Sequence, residues 1–403
     1  MELIQGTHKA PKFAPEDYIS NMPDNVITHI LNRLPIQEAV RTGTLSRNWR
    51  FKWNMLSQLI FDDDFFEYLS TRESDENHGR IIRRLLLHFE GAITKFYIYL
   101  EEECYDIEHW ILFLSKKTVK DLTILKINGQ ALDLPIHFFY CLELKYLKLE
   151  TCRFKPPASF HGFPDLLSLE LYDVSGKLAE FFTQCPVIEI LKIGLNCFND
   201  VKPLDIAKFT NLQILYLCLC NLDNTMITSS SGIFELVGLL PKLHELELDF
   251  QDCKSFIEDD ARKRFPITFP CLRALSLSNM DLSSGIMLSF AFEMIRSSPS
   301  LQTLDILARK WYVDPLPEIG YPEVDYNTTG LLQLRSVVFY TDSKNSEDGK
   351  FTIWLIKYLL ACSPFLEKMA IEASSFLYDE KLEFATRLLA LHRASPVAKI
   401  NLY

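Results

Sequence analysis

One apolar trio recurs along most of this chain and narrows what the chain can fold into. The pattern L-x-x-L-x-L, with Ile, Val, Phe or Met replacing Leu at some places, occurs twelve times. It runs through Ile93-Phe96-Ile98, Leu122-Leu125-Ile127, Leu144-Leu147-Leu149, Leu166-Leu169-Leu171, Ile188-Leu191-Ile193 and Leu212-Leu215-Leu217. It continues through Leu243-Leu246-Leu248, Leu272-Leu275-Leu277, Leu301-Leu304-Ile306, Leu334-Val337-Phe339, Leu366-Met369-Ile371 and Val397-Ile400-Leu402. Successive starts advance by 29, 22, 22, 22, 24, 31, 29, 29, 33, 32 and 31 residues. A unit of this size exposes an apolar edge that it cannot bury alone, so the units must stack and share one continuous core. In Leu144-Lys145-Tyr146-Leu147-Lys148-Leu149 the strand period of two turns Leu147 and Leu149 one way and Lys148 the other. Leu144, ahead of the strand, folds over the core. The middle places hold Lys126, Glu170, Lys192, Glu247, Ser276 and Asp305, which would line the open face of a parallel sheet.

The spacings straddle the roughly 20 to 29 residues of leucine-rich repeats, the later ones running longer. Between the trios lie segments with helical spacing that end at proline. Leu178, Phe181 and Phe182 precede Cys185-Pro186; Phe234, Leu236 and Leu239 precede Pro241; Phe290, Met294 and Ile295 precede Pro299. The same arrangement covers residues 353–360 before Ser363-Pro364 and 382–391 before Ser395-Pro396. The expected architecture is an α/β horseshoe, with parallel strands inside and mostly helices outside. Cys152 and Cys220 fall three residues beyond Leu149 and Leu217, where a small buried side chain fits the turn. Asn is largely missing there, so a ladder of Asn side chains satisfying the turns is not expected.

Residues 17–53 follow a different pattern. Pro23 opens a segment with Asp24 in its first turn, and Val26, Ile27, Ile30, Leu31 and Leu34 form one broad apolar face. Pro35 ends it. Ile36, Ala39 and Val40 suit a second short helix; Gly43 permits a turn, and Thr44 can cap a third helix bearing Leu45, Trp49 and Trp53. At a spacing of four, the two tryptophans would share a face. These apolar positions suit either packing against the rest of the chain or a surface left open for another protein.

The order Ile19, Met22-Pro23, Val26, Ile30-Leu31, Leu34-Pro35, Val40, Leu45-Ser46-Arg47 and Trp49-Arg50, followed by Trp53, resembles an F-box of the plant type. Met22 stands where leucine is usual, Tyr18 where a basic residue is common, and Gly43-Thr44 where a more helix-compatible pair often sits. Residues 334–371, with Leu359-Leu360, Ser363-Pro364, Leu366-Glu367-Lys368-Met369 and Ile371, look like the FBD region that follows the repeats of many plant F-box proteins. Ala394-Ser395-Pro396 through Leu402 resembles its closing strand. The resemblance therefore implies an N-terminal segment at 1–15, flexible, then a three-helix F-box at 16–56, a leucine-rich-repeat solenoid at 57–329 and an FBD-like cap at 330–403. It also implies direct binding of a Skp-type adaptor, with cullin and RING protein reached through it. The residues expected to contact the adaptor are Met22, Pro23, Ile30, Leu34, Pro35, Leu45 and Trp49, with Trp53 joining the module to the solenoid.

A partner protein could also be held by the longest excursion, residues 307–330. There Trp311, Tyr312, Tyr321 and Tyr326 alternate with Pro315, Pro317 and Pro322, which exclude one continuous helix. These four aromatics are the candidate substrate contacts, and capping an exposed core edge is their alternative role.

The first 60 residues carry net charge +2 and the remainder −13, out of −11 for the whole chain. An acidic solenoid argues against nucleic acid as a general partner, and no apolar run reaches membrane-spanning length. Arg41, Arg47, Arg50 and Lys52 make a basic edge suited to an acidic adaptor or simply to solvent. The ten cysteines are scattered and read as buried thiols; Cys218 and Cys220 lack the second pair of a metal site. No HExxH, nucleophile elbow or phosphate-binding glycine loop is present, and Asp62-Asp63-Asp64 and Glu101-Glu102-Glu103 read as solvated surface. The expectation is a non-catalytic substrate receptor of a ubiquitin ligase, without cofactor, in nucleus or cytoplasm or both, binding an unidentified protein substrate. A repeat scaffold outside any ligase is one alternative. A small-molecule-dependent receptor is the other; Lys126, Lys145, Lys148 and Lys192 would be its candidate charges, but no Arg-rich cluster accompanies them.

Overall fold

A computed structural model describes residues 22–71, 78–101, 106–194, 197, 201–219, 230–251, 267–282, 284–309, 330–341, 348–373 and 376–403. Two compact units divide the chain: Met1–Tyr99 with Cys104–Val119, and Leu100–Glu103 with Lys120–Tyr403.

The first unit opens with α1 (Asp24–Leu31) and α2 (Ile36–Arg41), each entered from a proline in extended geometry. Ile27 and Leu31 of α1 and Ile36 and Ala39 of α2 are buried. The third helix expected around Leu45 to Trp53 does not form. Its place is taken by 3-10 turns at Thr42–Thr44 and Lys52–Met55 joined by hydrogen-bonded turns. Local competition explains the difference. Thr42 and Thr44 each donate a hydroxyl hydrogen bond to the carbonyl three residues back, and a Cβ at Gly43 would sit 2.9 Å from the Arg50 carbonyl oxygen. The chain thus folds back on itself where a helix would have run straight. Trp49 and Trp53 are consequently core residues, 4% and 7% exposed.

A repeat hidden in the tail of this module follows. Leu56-Leu59-Phe61 has the trio spacing, and β1 (Gln58–Phe61) pairs in parallel with β2 (Lys95–Leu100), Leu59 opposite Phe96 and Phe61 opposite Ile98. Between them run α3 (Asp63–Ser70) and α4 (His78–Leu87). The acidic triplet has a structural role: the Asp62 carboxylate caps α3 by accepting from the Phe65 N–H, while Asp63 and Asp64 occupy its first turn. Trp53 packs edge-on against Phe89, with ring centres 5.4 Å apart, and against His88. Helix α5 (Ile107–Leu114) completes the unit, and Lys117 donates to the carbonyls of Phe89, Glu90 and Gly91.

The second unit is a parallel strand solenoid of the leucine-rich-repeat kind. Its strands are β3 (Asp121–Lys126), the short β4 (Leu132–Asp133), β5 (Tyr146–Phe154), β6 (Ser168–Gly176), β7 (Ile190–Ile193) and β8 (Ile214–Cys218). Then come β9 (Glu245–Asp249), β10 (Ala274–Met280), β11 (Thr303–Ala308), β12 (Ser336–Thr341), β13 (Lys368–Glu372) and β14 (Lys399–Leu402). Apart from β4, which pairs with β5 alone, each strand pairs in parallel with the next. The second trio residue forms one row across the sheet: Leu147, Leu169, Leu191, Leu215, Leu246, Leu275, Leu304, Val337, Met369 and Ile400.

One expected trio is out of register. Leu122 and Ile124, not Leu125 and Ile127, align with Leu147 and Leu149, so the trio is Val119-Leu122-Ile124. The segment Leu122-Thr123-Ile124-Leu125-Lys126-Ile127 offers two overlapping alternations, and stacking selects the one whose leading residue, Val119, can be buried at 1% exposure. Thr123 therefore takes the middle place expected for Lys126, and Lys126 is buried.

Outer elements lengthen with the repeat. Where starts are 22 to 24 residues apart, the connections hold α6 (Leu178–Thr183) and α7 (Pro203–Ile206), only 6 and 4 residues long. Where spacing reaches 29 to 33, they hold α9 (Gly285–Arg296) and α10 (Asp348–Cys362), of 12 and 15 residues; α8 (Ser230–Gly238) and α11 (Tyr378–Leu389) complete the set. In the short repeats phenylalanines, some of them on short helical elements, fill the core. Phe138, Phe139, Phe154, Phe160, Phe163 and Phe181 form a connected cluster with ring centres 4.5 to 6.3 Å apart.

Backbone satisfaction does not rely on an asparagine ladder. The carbonyl of the residue before each strand accepts two consecutive N–H groups from the next repeat. Lys120 accepts from Lys145 and Tyr146, Lys145 from Leu167 and Ser168, and Leu167 from Glu189 and Ile190; the same step recurs as far as Arg335, which accepts from Glu367 and Lys368. Cys152 is fully buried, and the nearby Cys197 sulfur accepts the Val174 N–H; Cys220 lies outside the described residues.

Candidate protein-docking surfaces

In the first unit, helical periodicity splits the apolar residues into two sides. Ile27 and Leu31 turn inward, which leaves Val26 and Ile30 on the other flank of α1, 40% and 38% exposed, with Leu34 beyond them at 37%. Pro23 and Pro35 are exposed and Met22 is half-buried. Leu45 and Phe51 are more open still, at 67% and 58%. Of the seven expected adaptor contacts, Pro23, Ile30, Leu34, Pro35 and Leu45 therefore present accessible surface. Trp49 supports the turns from within. Val26 and Phe51 were missed as exposed positions: Val26 falls inside the broad apolar face, and Phe51 lies where a helix was expected to continue.

The charged rim is partly neutralised locally. Arg41 pairs with Glu38 at 2.8 Å and Lys52 with Asp24, whereas Arg47 and Arg50 are exposed and the Arg50 guanidinium lies over the Phe51 ring at 5.6 Å. Apolar side chains edged by arginine suit a protein surface with an apolar cleft and an acidic border.

In the second unit, alternation sends the trio residues into the core and leaves the intervening positions on the opposite face. The middle row reads Thr123, Lys148, Glu170, Lys192, Tyr216, Glu247, Ser276, Asp305, Val338, Ala370 and Asn401. Glu170 sits between two lysines, 2.9 Å from Lys192 and 3.7 Å from Lys148, so these charges neutralise one another. Lys148 also lies over the Tyr172 ring at 5.4 Å, and Tyr172 neighbours Tyr216. Gly194 makes that arrangement possible, because a Cβ there would meet the Tyr172 ring at 2.4 Å. Asp249 is fixed by three donors: the Tyr216 hydroxyl at 3.3 Å, the Asn279 side-chain amide at 2.7 Å and the Gln251 N–H at 2.9 Å. Asn279 is held in the left-handed region at φ 58°, which Asn tolerates better than most residues.

Two carboxylates on this face titrate above their ordinary range. Glu247 is raised by desolvation first and then by Asp249, with Lys192 opposing and Asp305 adding a smaller rise; Asp305 is raised by desolvation. A carboxyl that holds its proton more tightly when folded contributes its unfavourable effect above the folded pKa, and the effect disappears as pH falls through that value. Replacing Glu247 by Gln is therefore expected to raise the unfolding midpoint at neutral pH. Urea unfolding at several pH values should show that gain shrink on acidification through the carboxylate range.

Trp311, Tyr312, Tyr321 and Tyr326, the candidate substrate contacts, lie outside the described residues. Among the described residues there is no group of three His, Cys, Asp or Glu that could hold a metal, and no helix long and apolar enough to cross a membrane. Burial pushes the thiols of Cys141, Cys152, Cys185 and Cys197 up to about 12. Since the thiolate is the reacting species, these four should resist iodoacetamide at pH 8 in the native protein and react on addition of urea, as peptide mass mapping would reveal.

Comparison with known proteins places these surfaces in context. A family model described as the F-box domain matches residues 19–61, and one described as FBD-associated F-box protein At5g56370, LRR repeats, matches residues 107–237. The F-box/FBD/LRR-repeat protein At1g13570 of Arabidopsis thaliana is 30% identical over 415 residues, covering 95% of this chain and 98% of that protein. The FBD-associated F-box protein At4g10400 of the same plant is 26% identical, covering 96% of this chain and 99% of the relative. F-box/LRR-repeat protein 13, also from Arabidopsis thaliana, is 23% identical, with 95% and 96% covered. With a helical module early in the sequence, stacked parallel repeats following it along the chain and similarity along nearly its whole length, the chain belongs to the plant F-box/FBD/leucine-rich-repeat family.

Proposed function

We propose that this protein is the substrate-recognition subunit of a Skp-cullin-F-box ubiquitin ligase. The F-box helices dock a Skp-type adaptor, cullin and RING protein join through that adaptor, and the repeat unit holds a protein substrate. The observation that carries this reading is the set of exposed apolar side chains Val26, Ile30, Leu34 and Leu45 within the stretch that matches the F-box. The chain supplies no chemical group to the transfer. It holds a substrate lysine near a ubiquitin-charged enzyme, which raises the effective concentration of the nucleophile. Action in the nucleus, the cytoplasm or both belongs to the same proposal.

A receptor that depends on a bound polyanion gains little support from the repeat sheet, where Lys148 and Lys192 are engaged by Glu170 and Lys126 is buried. Co-expression of the full chain with a Skp-type adaptor should yield a complex that survives gel filtration and captures the cullin. Separate elution of two folded proteins would overturn the proposal.

A further inference from the structure

One end of the repeat sheet keeps the apolar pattern of an interior unit without the burial. The sheet order ends at β14, and among the described residues no strand pairs with the outer edge of β14. From Leu56 through Leu366 the leading residue of each aligned trio is at most 2% exposed, whereas Val397, which leads the trio of β14, is 65% exposed. Ile400 and Leu402 are half-buried, although the residues aligned with them, Met369 and Ile371, are fully buried. The outer helix shows the same deficit. Helix α9 buries seven apolar side chains in its 12 residues; α11, of equal length, buries Phe384 and Leu388. Tyr378, Leu382 and Leu389 recur at spacings of four and seven on α11, so they form one stripe, about a third of a turn from the buried pair, and all three are exposed. Terminal repeats of a solenoid ordinarily turn a polar face outward. Here strand and helix both keep apolar side chains.

The strand edge is also self-complementary. Lys399 and Tyr403 donate their N–H groups to the carbonyls of Glu367 and Ile371, and the Tyr403 carbonyl accepts from the Ala373 N–H. In a parallel ladder both backbone groups of alternate residues point to the same neighbour, so those of Lys399, Asn401 and Tyr403 face β13 and those of Ala398, Ile400 and Leu402 face outward. An antiparallel copy of β14, related by a two-fold axis at Ile400, brings Ile400 opposite Ile400 and Ala398 opposite Leu402. Each such pair exchanges two N–H···O bonds, and its side chains continue the core side of the sheet. Lys399 then faces Asn401. Centring the axis on Lys399 would oppose two lysines, and centring it on Asn401 would leave Ala398 unpaired.

We propose that this end of the repeat unit is a homodimer interface, closed by the same end of a second copy, with β14 antiparallel to its counterpart about Ile400 and the Tyr378, Leu382 and Leu389 stripes packed together. A second copy is the occupant because one two-fold axis, the commonest symmetry of oligomers, satisfies the outward backbone groups in register and covers the apolar stripe. Backbone pairing fixes the alignment, and the stripe supplies the buried area. The inference is independent of the adaptor reading, which is tested on the other unit.

Sedimentation velocity of the full chain at micromolar concentration should give a particle of twice the chain mass. Leu389→Arg, at an exposed site, should weaken self-association roughly tenfold or more. Ile400→Pro should do the same, because it deletes an outward N–H and leaves the groups that face β13 in place. The control Leu204→Arg, at an exposed position of α7, should leave the mass unchanged. Cross-linking reads the register. Lys399→Cys mixed with Asn401→Cys should give a disulfide-linked dimer on mild oxidation, since opposed Cα atoms of a non-hydrogen-bonded pair lie about 4.5 Å apart. Neither variant alone should do so, its two cysteines being diagonal at about 7 to 8 Å. A monomer at every concentration would overturn the inference. So would a dimer unaffected by both Leu389→Arg and Ile400→Pro, or cross-linking as efficient in the single variants as in the mixture.

Discussion

Leu34→Asp is expected to abolish co-elution of this chain with a Skp-type adaptor while leaving the chain folded. Leu34 stands at the end of the open row formed with Val26 and Ile30, and at 37% exposure it contributes to the surface as well as to the turn that leads into Pro35. Central apolar anchors of an interface typically cost about 2 to 4 kcal/mol when lost, roughly 30- to 700-fold in dissociation constant. A carboxylate at that place adds the cost of removing a charge from water. Because the residue is accessible in the free protein, the unfolding midpoint should move little. Trp49→Ala provides the contrast. That ring is buried within the first unit, so its removal should lower stability and adaptor binding together. If Leu34→Asp bound the adaptor as tightly as the parent chain, the apolar row would have to serve something else.

The largest stability effect is expected at Phe181. It is 1% exposed, and its ring lies 4.5 Å from Phe154, 5.9 Å from Phe163 and 6.2 Å from Phe160. Phe181→Ala would empty the centre of that cluster at a cost of about 3 to 5 kcal/mol, since the surrounding repeats can collapse only partly into the gap. Phe181→Leu should cost less by retaining much of the volume. Stacked repeats bind mainly to their neighbours, so the loss should be concentrated around β5 to β7. Hydrogen exchange would then show faster opening of amides in those strands, with α9 and α10 much less affected. Adaptor binding by the first unit should persist. A uniform rise in exchange across the second unit would show instead that it unfolds as one block.

Most of the fold was legible in the sequence because one physical requirement, a shared apolar core, stamps the same trio on each unit. The failures have local causes. Register slipped by three residues at Leu122 because apolar side chains at 122, 124, 125 and 127 satisfy two alternations, and only burial of Val119 decides between them. The strand at Gln58–Phe61 stayed hidden because Leu56-Leu59-Phe61 directly follows the F-box pattern and reads as its tail. The expected third helix yielded to turns through hydroxyl and backbone contacts around Gly43 that periodicity cannot register. Exposure was harder to read than secondary structure. Two tryptophans four apart suited either a face left open for a partner or packing within the chain; both complete the core, whereas Phe51 beside them faces outward. On the repeat sheet the middle-row residues Glu170, Lys192, Glu247, Ser276 and Asp305 could be named from alternation alone, whereas Lys126 gave way to Thr123. Their pairing could not: that Lys148 and Lys192 share Glu170 depends on which strands become neighbours.

The doubly accepting carbonyl at each strand entrance has a consequence for how such chains can vary. Both N–H groups at the entrance are committed, which rules out proline at positions such as Lys145, Tyr146, Leu167 and Ser168 and ties each unit to its predecessor at one fixed point. Length changes are then tolerated only downstream, between the end of one strand and the entrance of the next. There this chain already ranges from 22 to 33 residues per unit without losing alignment of its strands. New binding loops can accordingly be inserted at the exits while the entrances keep the stack in step.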